Sequence, residues 1–141
     1  MPFPFETLRR VEFRDTDAAG IMHFSVYFTF MEEAEHEMLR SVGLSVYMEH
    51  EGAALSWPRV SVNCDYSKAV KFEDEIRIEA GLERIGNRSA TYLFRFSRGE
   101  EVVATGRITS VCCRLEHDQP PRSQPIPAAI AARLAPLVMS E

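Results

Sequence analysis

The sequence predicts an α+β domain, in which a curved antiparallel sheet covers its apolar face with one long helix. Two observations carry that reading. Tyr27, Phe30, Met31, Ala34, Met38 and Val42 recur at three- and four-residue spacings, which is the stripe of an amphipathic helix. After them come four stretches in which apolar and polar residues alternate, the periodicity of half-buried strands. A sheet with one apolar face has to bury it, and the helix supplies the cover.

The elements follow in order. Val11 and Phe13 alternate with Arg10, Glu12 and Arg14 and predict a first strand. Asp15-Thr16-Asp17-Ala18-Ala19-Gly20 interrupts it with small and turn-forming residues. Ser25 is placed to cap the helix, and Gly43 stands where a C′ glycine would end it. Glu32, Glu33, Glu35, His36, Glu37 and Arg40 fill the polar side, and the early glutamates complement the positive end of the helix dipole. Beyond a loop, Val60, Val62, Cys64 and Tyr66 point one way along a strand, as do Ile76, Ile78, Ala80 and Leu82, then Ala90, Tyr92, Phe94 and Phe96. Val103 to Leu115 reads as one long last strand. Gly86-Asn87 and Arg98-Gly99-Glu100 are hairpin connectors, so the last three strands form a meander. Pro120-Pro121 ends regular structure, and Pro127 opens a short helix from Ala128 to Leu137.

Length and composition narrow the class of function. At 141 residues the chain is one domain, 1–141. Its net charge is −5 and its 16 basic residues are scattered, so it lacks the basic stripe that nucleic acid requires. Cys64, Cys112 and Cys113 make neither a disulfide framework nor a zinc knuckle, which fits a reducing, cytoplasmic setting. The N-terminus has no signal-peptide pattern, and no apolar run approaches the roughly 20 residues of a membrane span. Open sheet edges on so small a domain invite a second copy, and a homodimer or homotetramer is expected.

The chemistry concentrates in Asp15 to Tyr27. Two carboxylates two residues apart precede small residues and a helix start. A helix N-terminus offers unpaired N–H groups and partial positive charge, which can hold an acyl oxygen as it becomes negative. A carboxylate beside it can attack the carbonyl carbon or activate a water. Nothing in this arrangement requires a metal or cofactor, and none is expected.

Asp15, Asp17, Gly20, Ile21, Met22, His23-Phe24 and Tyr27, continuing through Glu32, Ala34 and Gly43, resemble the signature of the 4-hydroxybenzoyl-CoA thioesterase branch of the hotdog superfamily. They are also similar to the acyl-CoA thioesterases associated with the bacterial Tol–Pal system. The resemblance continues weakly through Tyr66 and Asp74 to Ile76. It implies a hotdog fold and hydrolysis of an acyl-CoA or aroyl-CoA thioester to free acid and coenzyme A. By the same resemblance Asp17 is the nucleophile or general base, and backbone N–H groups near His23 and Phe24 polarise the carbonyl. Gly20 holds the loop close to the ligand, though a turn glycine fits equally well. Asp15 shapes the loop through backbone hydrogen bonds.

His23 departs from the pattern, which more often has an aromatic residue there. Its ring either packs as that aromatic would, or orients water and tunes Asp17. Tyr27 lines the acyl pocket or simply begins the apolar stripe. Arg88 and Ser89 match a basic-then-serine position that meets coenzyme A phosphates in related thioesterases, with Arg84 and Lys71 as helpers; solvated surface charge is the plainer reading of the basic residues. Two other functions remain in view. One is a hotdog hydratase or dehydratase, for which His23 is the only support; the other is a non-catalytic acyl-CoA-binding module.

Overall fold

The computed structural model describes residues 2–139; residues 1, 140 and 141 of the expected domain lie outside it. In chain order the elements are β1 (Phe5–Arg10), α1 (Val26–Ser41), β2 (Met48–His50), β3 (Ala53–Ser56), β4 (Arg59–Tyr66), β5 (Glu75–Ile85), β6 (Ser89–Arg98), β7 (Glu101–Val111), β8 (Cys113–Leu115), β9 (Arg122–Ser123) and α2 (Ala128–Leu134). Five strands form an antiparallel sheet in the order β1-β5-β6-β7-β4, and a smaller sheet runs β2-β3-β8-β9. Among the described residues no helix is long and apolar enough to cross a membrane.

The core lies between α1 and one face of the large sheet. Ile76, Ile78, Ala80 and Leu82 of β5 are fully buried, and Ala90, Tyr92, Phe94 and Phe96 of β6 are nearly so, as alternation requires. Tyr27, Phe30, Met31, Ala34 and Met38 bury the helical stripe against them, joined by Leu39, while Val42 is partly buried. A Cβ on Gly106 of β7 would come within 2.6 Å of the Met31 Sδ, so the missing side chain there seats the helix. The helix ends in a Schellman turn: Gly43 at φ +79° bonds the Arg40 carbonyl, and Leu44 bonds that of Leu39.

Several expectations need correction. The first strand lies earlier, at Phe5–Arg10, and Phe13–Asp15 is a 3-10 turn with the Phe13 side chain exposed. Val60, Val62 and Tyr66 are exposed rather than buried, because β4 is the edge strand and α1 covers that edge only in part, with Tyr66 packing on Tyr27. The long last strand breaks at Cys112. There the chain leaves the large sheet for the small one, and both Cys112 and Cys113 are buried in consequence. β2, β3 and β9 come from stretches read as loop. Ser25 makes no side-chain cap to α1, and the first turn carries no acidic residue, so the glutamates sit too far along to meet the dipole end.

The largest surprise is Glu35, which was assigned to the polar face and is completely buried. It faces Arg59 in a two-pronged pair, Oε2 accepting from Nη1 at 3.1 Å and Oε1 from Nη2. Arg59 also donates to the Ser110 hydroxyl at 2.9 Å and the Trp57 carbonyl at 3.2 Å. Burial pushes the Glu35 carboxyl up against the pull of Arg59, and burial followed by the Glu35 charge raises the Tyr92 phenol. This network ties α1 to the edge strand.

Candidate active site

The loop before α1 is built on backbone hydrogen bonds. Asp15 accepts from the Glu12 N–H at 2.9 Å through its side chain, and from the His23 N–H at 2.8 Å through its carbonyl. Asp17 donates its N–H to the Ile21 carbonyl and accepts from Gly20, each at 2.9 Å. Gly20 sits at φ +81° with nothing within 4 Å of where a Cβ would stand, so backbone conformation rather than crowding selects glycine here. A Thr16–Met22 bridge closes the loop on itself, and an Ile21–Lys71 bridge holds it against the segment that follows β4.

The Asp17 carboxylate projects from this turn. Its Oδ1 accepts the Ala19 N–H at 2.8 Å, and its other oxygen has no partner among the described residues. Asp17 lines a cleft of about 310 Å³ together with Ile21, Met22, Phe24 and Tyr27; Tyr66, Ser67, Lys68 and Ala69 close the other side. The Tyr27 ring packs edge-on against Tyr66 at 4.8 Å and Phe96 at 5.3 Å. Burial pushes the Tyr27 hydroxyl up to about 12 and the Cys64 thiol to about 11, so both stay protonated near neutrality.

The candidate oxyanion donors separate on inspection. The His23 N–H is already spent on Asp15, so it is not a free donor; this corrects the pairing of His23 with Phe24. The His23 ring stacks on Phe24 at 4.6 Å, and its Nδ1 lies 2.8 Å from the Ser25 hydroxyl and accepts the Ser25 N–H at 3.2 Å. The neutral ring therefore carries its proton on Nε2. His23 is not among the residues lining the cleft. The Phe24 N–H has no hydrogen-bond partner among the described residues, and Phe24 lines the same cleft as Asp17.

Arg88 and Ser89 lie elsewhere. Seven residue steps along β6 lead from Ser89 to Phe96, about 23 Å of extended strand. Arg88 donates to the Ser123 hydroxyl at 3.2 Å. One chain alone does not bring them to Asp17. Lys71 borders the loop, whereas Arg84, near the end of β5, belongs with the distant Arg88 group. Sequence patterning alone gives no sign that Tyr66, Ser67 and Lys68 belong to this site. Tyr66 alternated with core-like residues, and nothing local says that the chain turns toward the helix start just after it.

A larger cavity, about 470 Å³, lies on the outer face of the sheet between Phe3, Asp65, Leu93, Arg95 and Arg107. Its floor is sheet backbone whose amides are committed to the β6–β7 and β4–β7 ladders. Among the described residues no helix N-terminus borders it, whereas the smaller cleft lies at the start of α1, so the smaller cleft is the better candidate.

Comparison with known proteins decides the family. A family model described as the thioesterase-like superfamily matches residues 11–134, which contain the loop, both helices and most of the large sheet. The chain belongs to the thioesterase-like superfamily. Among related proteins, the 1,4-dihydroxy-2-naphthoyl-CoA hydrolase of Synechococcus sp. (strain CC9605) is 32% identical over 111 residues, 75% of this chain and 74% of that one. That of Prochlorococcus marinus (strain NATL1A) is 30% identical over 110 residues, 73% of each chain. A solved structure of an aspartate-to-asparagine mutant of 4-hydroxybenzoyl CoA thioesterase, complexed with 4-hydroxybenzoyl CoA, matches with a TM-score of 0.81. It is 20% identical and the match covers 92% of this chain and 97% of that one. This thioesterase-like chain thus has the hotdog thioesterase fold, with its antiparallel sheet and helix, and it is a thioesterase.

Proposed function

We propose that this thioesterase hydrolyses an aroyl-CoA or other acyl-CoA thioester to the free acid and coenzyme A, with Asp17 as the catalytic carboxylate. The observation that carries the proposal is the pairing of two unsatisfied groups on one cleft: an Asp17 oxygen without a partner and the unpaired Phe24 N–H. The thioester carbonyl oxygen would sit on the Phe24 N–H, at the start of α1, where the helix dipole adds to the donor. As nucleophile, Asp17 forms a bond to the carbonyl carbon and the π pair moves onto oxygen. Collapse then breaks the C–S bond, the thiolate leaves, and water hydrolyses the acyl–aspartate anhydride. As general base, Asp17 takes a proton from water while the hydroxide adds directly. Both routes consume one water and release acid and thiol.

Three aromatic rings, Phe24, Tyr27 and Tyr66, line the cleft, which favours a flat acyl group. The naming of relatives as 1,4-dihydroxy-2-naphthoyl-CoA hydrolases supports the same class. We read α1 as the helix that the curved sheet wraps. The uncovered β4 edge, with Val60 and Val62 exposed, is where a second copy would pair. Arg88 and Ser89 reach coenzyme A phosphates only if the cofactor portion lies between two copies. The three unpaired cysteines fit a cytoplasmic enzyme.

A thiol-release assay on a panel of aroyl- and acyl-CoA esters tests the proposal. Aroyl esters should turn over with the highest kcat/KM. Saturable binding without thiol release would make the chain a binding module, and hydration of an enoyl ester without thiol release would make it a hydratase.

A further inference from the structure

We infer that Tyr66 is a positioning residue for this reaction, its hydroxyl holding the Phe24 peptide so that the Phe24 N–H stays aimed into the cleft. The inference rests on the proposed function and adds to it a residue from a distant part of the chain. Tyr66 is the last residue of β4, and its hydroxyl donates to the Phe24 carbonyl at 2.9 Å across 42 positions of sequence.

A single free N–H stabilises a developing oxyanion only if its direction is fixed before the charge forms. Phe24 sits in a loop, where direction is set by the flanking peptide groups. The His23 N–H is fixed on the Asp15 carbonyl at 2.8 Å, and the His23 carbonyl accepts from Val26 at 3.0 Å. These two bonds hold the peptide that carries the Phe24 N–H from the N-terminal side. On the C-terminal side the Phe24 carbonyl is held by Tyr66 alone among the described residues. The clamp thus has two backbone members and one side-chain member.

Tyr66 is suited to the task. Its ring packs edge-on against the buried Tyr27 ring, 4.8 Å between centroids at 81°, which restricts its swing. Desolvation, then the neighbouring Cys64, push its hydroxyl up to about 12, so it remains a proton donor throughout the neutral range. The residue is 45% exposed, so its hydroxyl contributes little to the core. A packing role would need only the ring.

Tyr66→Phe keeps the ring and removes the donor. With benzoyl-CoA as the probe, kcat should fall about tenfold while KM and melting temperature stay unchanged; losing an oxyanion donor outright costs more, about 10²–10³-fold. A purely structural role would move stability and leave the carbonyl untouched, so the decisive readout is infrared. Benzoyl-CoA labelled with carbon-13 at the carbonyl is bound to Asp17→Asn and to Asp17→Asn/Tyr66→Phe. The carbonyl band should lie below that of free ester in the first and move back toward it, broadened, in the second. A kcat within about twofold of the unaltered enzyme, a loss confined to KM, or an identical band in both variants overturns the inference. The outcomes separate from those for the reaction itself. Full turnover by Asp17→Asn, or no thiol release by the unaltered protein, removes both readings. A dead Asp17→Asn beside a fully active Tyr66→Phe removes only this one.

Discussion

Replacing Asp17 by asparagine is expected to lower kcat for thioester hydrolysis by roughly 10³-fold, with KM and folding nearly unchanged. Asparagine keeps a side-chain oxygen for the Ala19 N–H, now 2.8 Å from Oδ1, so the turn should survive. What it lacks is a second oxygen carrying charge. The expected pattern, kcat and kcat/KM falling together, marks a group that acts in the transition state rather than in binding. Steady-state thiol release on benzoyl-CoA measures it. Single turnover in labelled water then separates the two routes. Label in the Asp17 side chain shows that aspartate attacks and that water opens the anhydride at the aspartyl carbon, an outcome that general-base catalysis does not give. Retained activity in Asp17→Asn would remove this carboxylate from the mechanism.

The second large effect concerns stability. Glu35→Ala should destabilise the fold by about 3–5 kcal/mol, because it leaves the Arg59 guanidinium desolvated without its carboxylate. Since domains are stable by only about 5–15 kcal/mol, that loss is a large share of the total. Glu35→Met combined with Arg59→Met should recover most of it, since an apolar pair of similar volume removes both desolvation penalties. Urea denaturation midpoints of the single and double variants measure the difference. A change below about 1 kcal/mol in Glu35→Ala would show that the pair is spectator to stability.

What the sequence disclosed was local. The α1 stripe, its Gly43 terminus, the β5–β6–β7 hairpins and the helix after Pro127 each depend on residues within a few positions of one another, and each lies where patterning placed it. The Asp17 loop was legible for the same reason: small residues, a glycine at positive φ and a helix start all lie within ten positions. Long-range facts were not legible. Val60 and Val62 alternate like core residues, but β4 falls at the sheet edge, and only topology says so. The break at Cys112 follows from which sheet each half of the strand joins. The Tyr66 bond to Phe24 spans 42 residues.

Glu35 is a different case, because its signal was present and outweighed by its charge. It stands four residues after Met31 and three before Met38, on the buried side of the helix by the same spacing that defined the stripe. A carboxylate at such a position calls for a partner, and Arg59 lies 24 residues away on another element. Periodicity can reveal a buried charge, but it does not name its counter-ion. Likewise the free Phe24 N–H and the occupied His23 N–H look alike in sequence, and only hydrogen-bond accounting separates them.

The most direct test is a crystal structure of the Asp17→Asn variant with benzoyl-CoA bound. The account predicts the thioester oxygen at hydrogen-bonding distance, about 3 Å, from the Phe24 nitrogen, with the carbonyl carbon facing residue 17. A thioester lodged on the outer face of the sheet near Arg95, or one whose oxygen is held by other donors with residue 17 turned away, would contradict it.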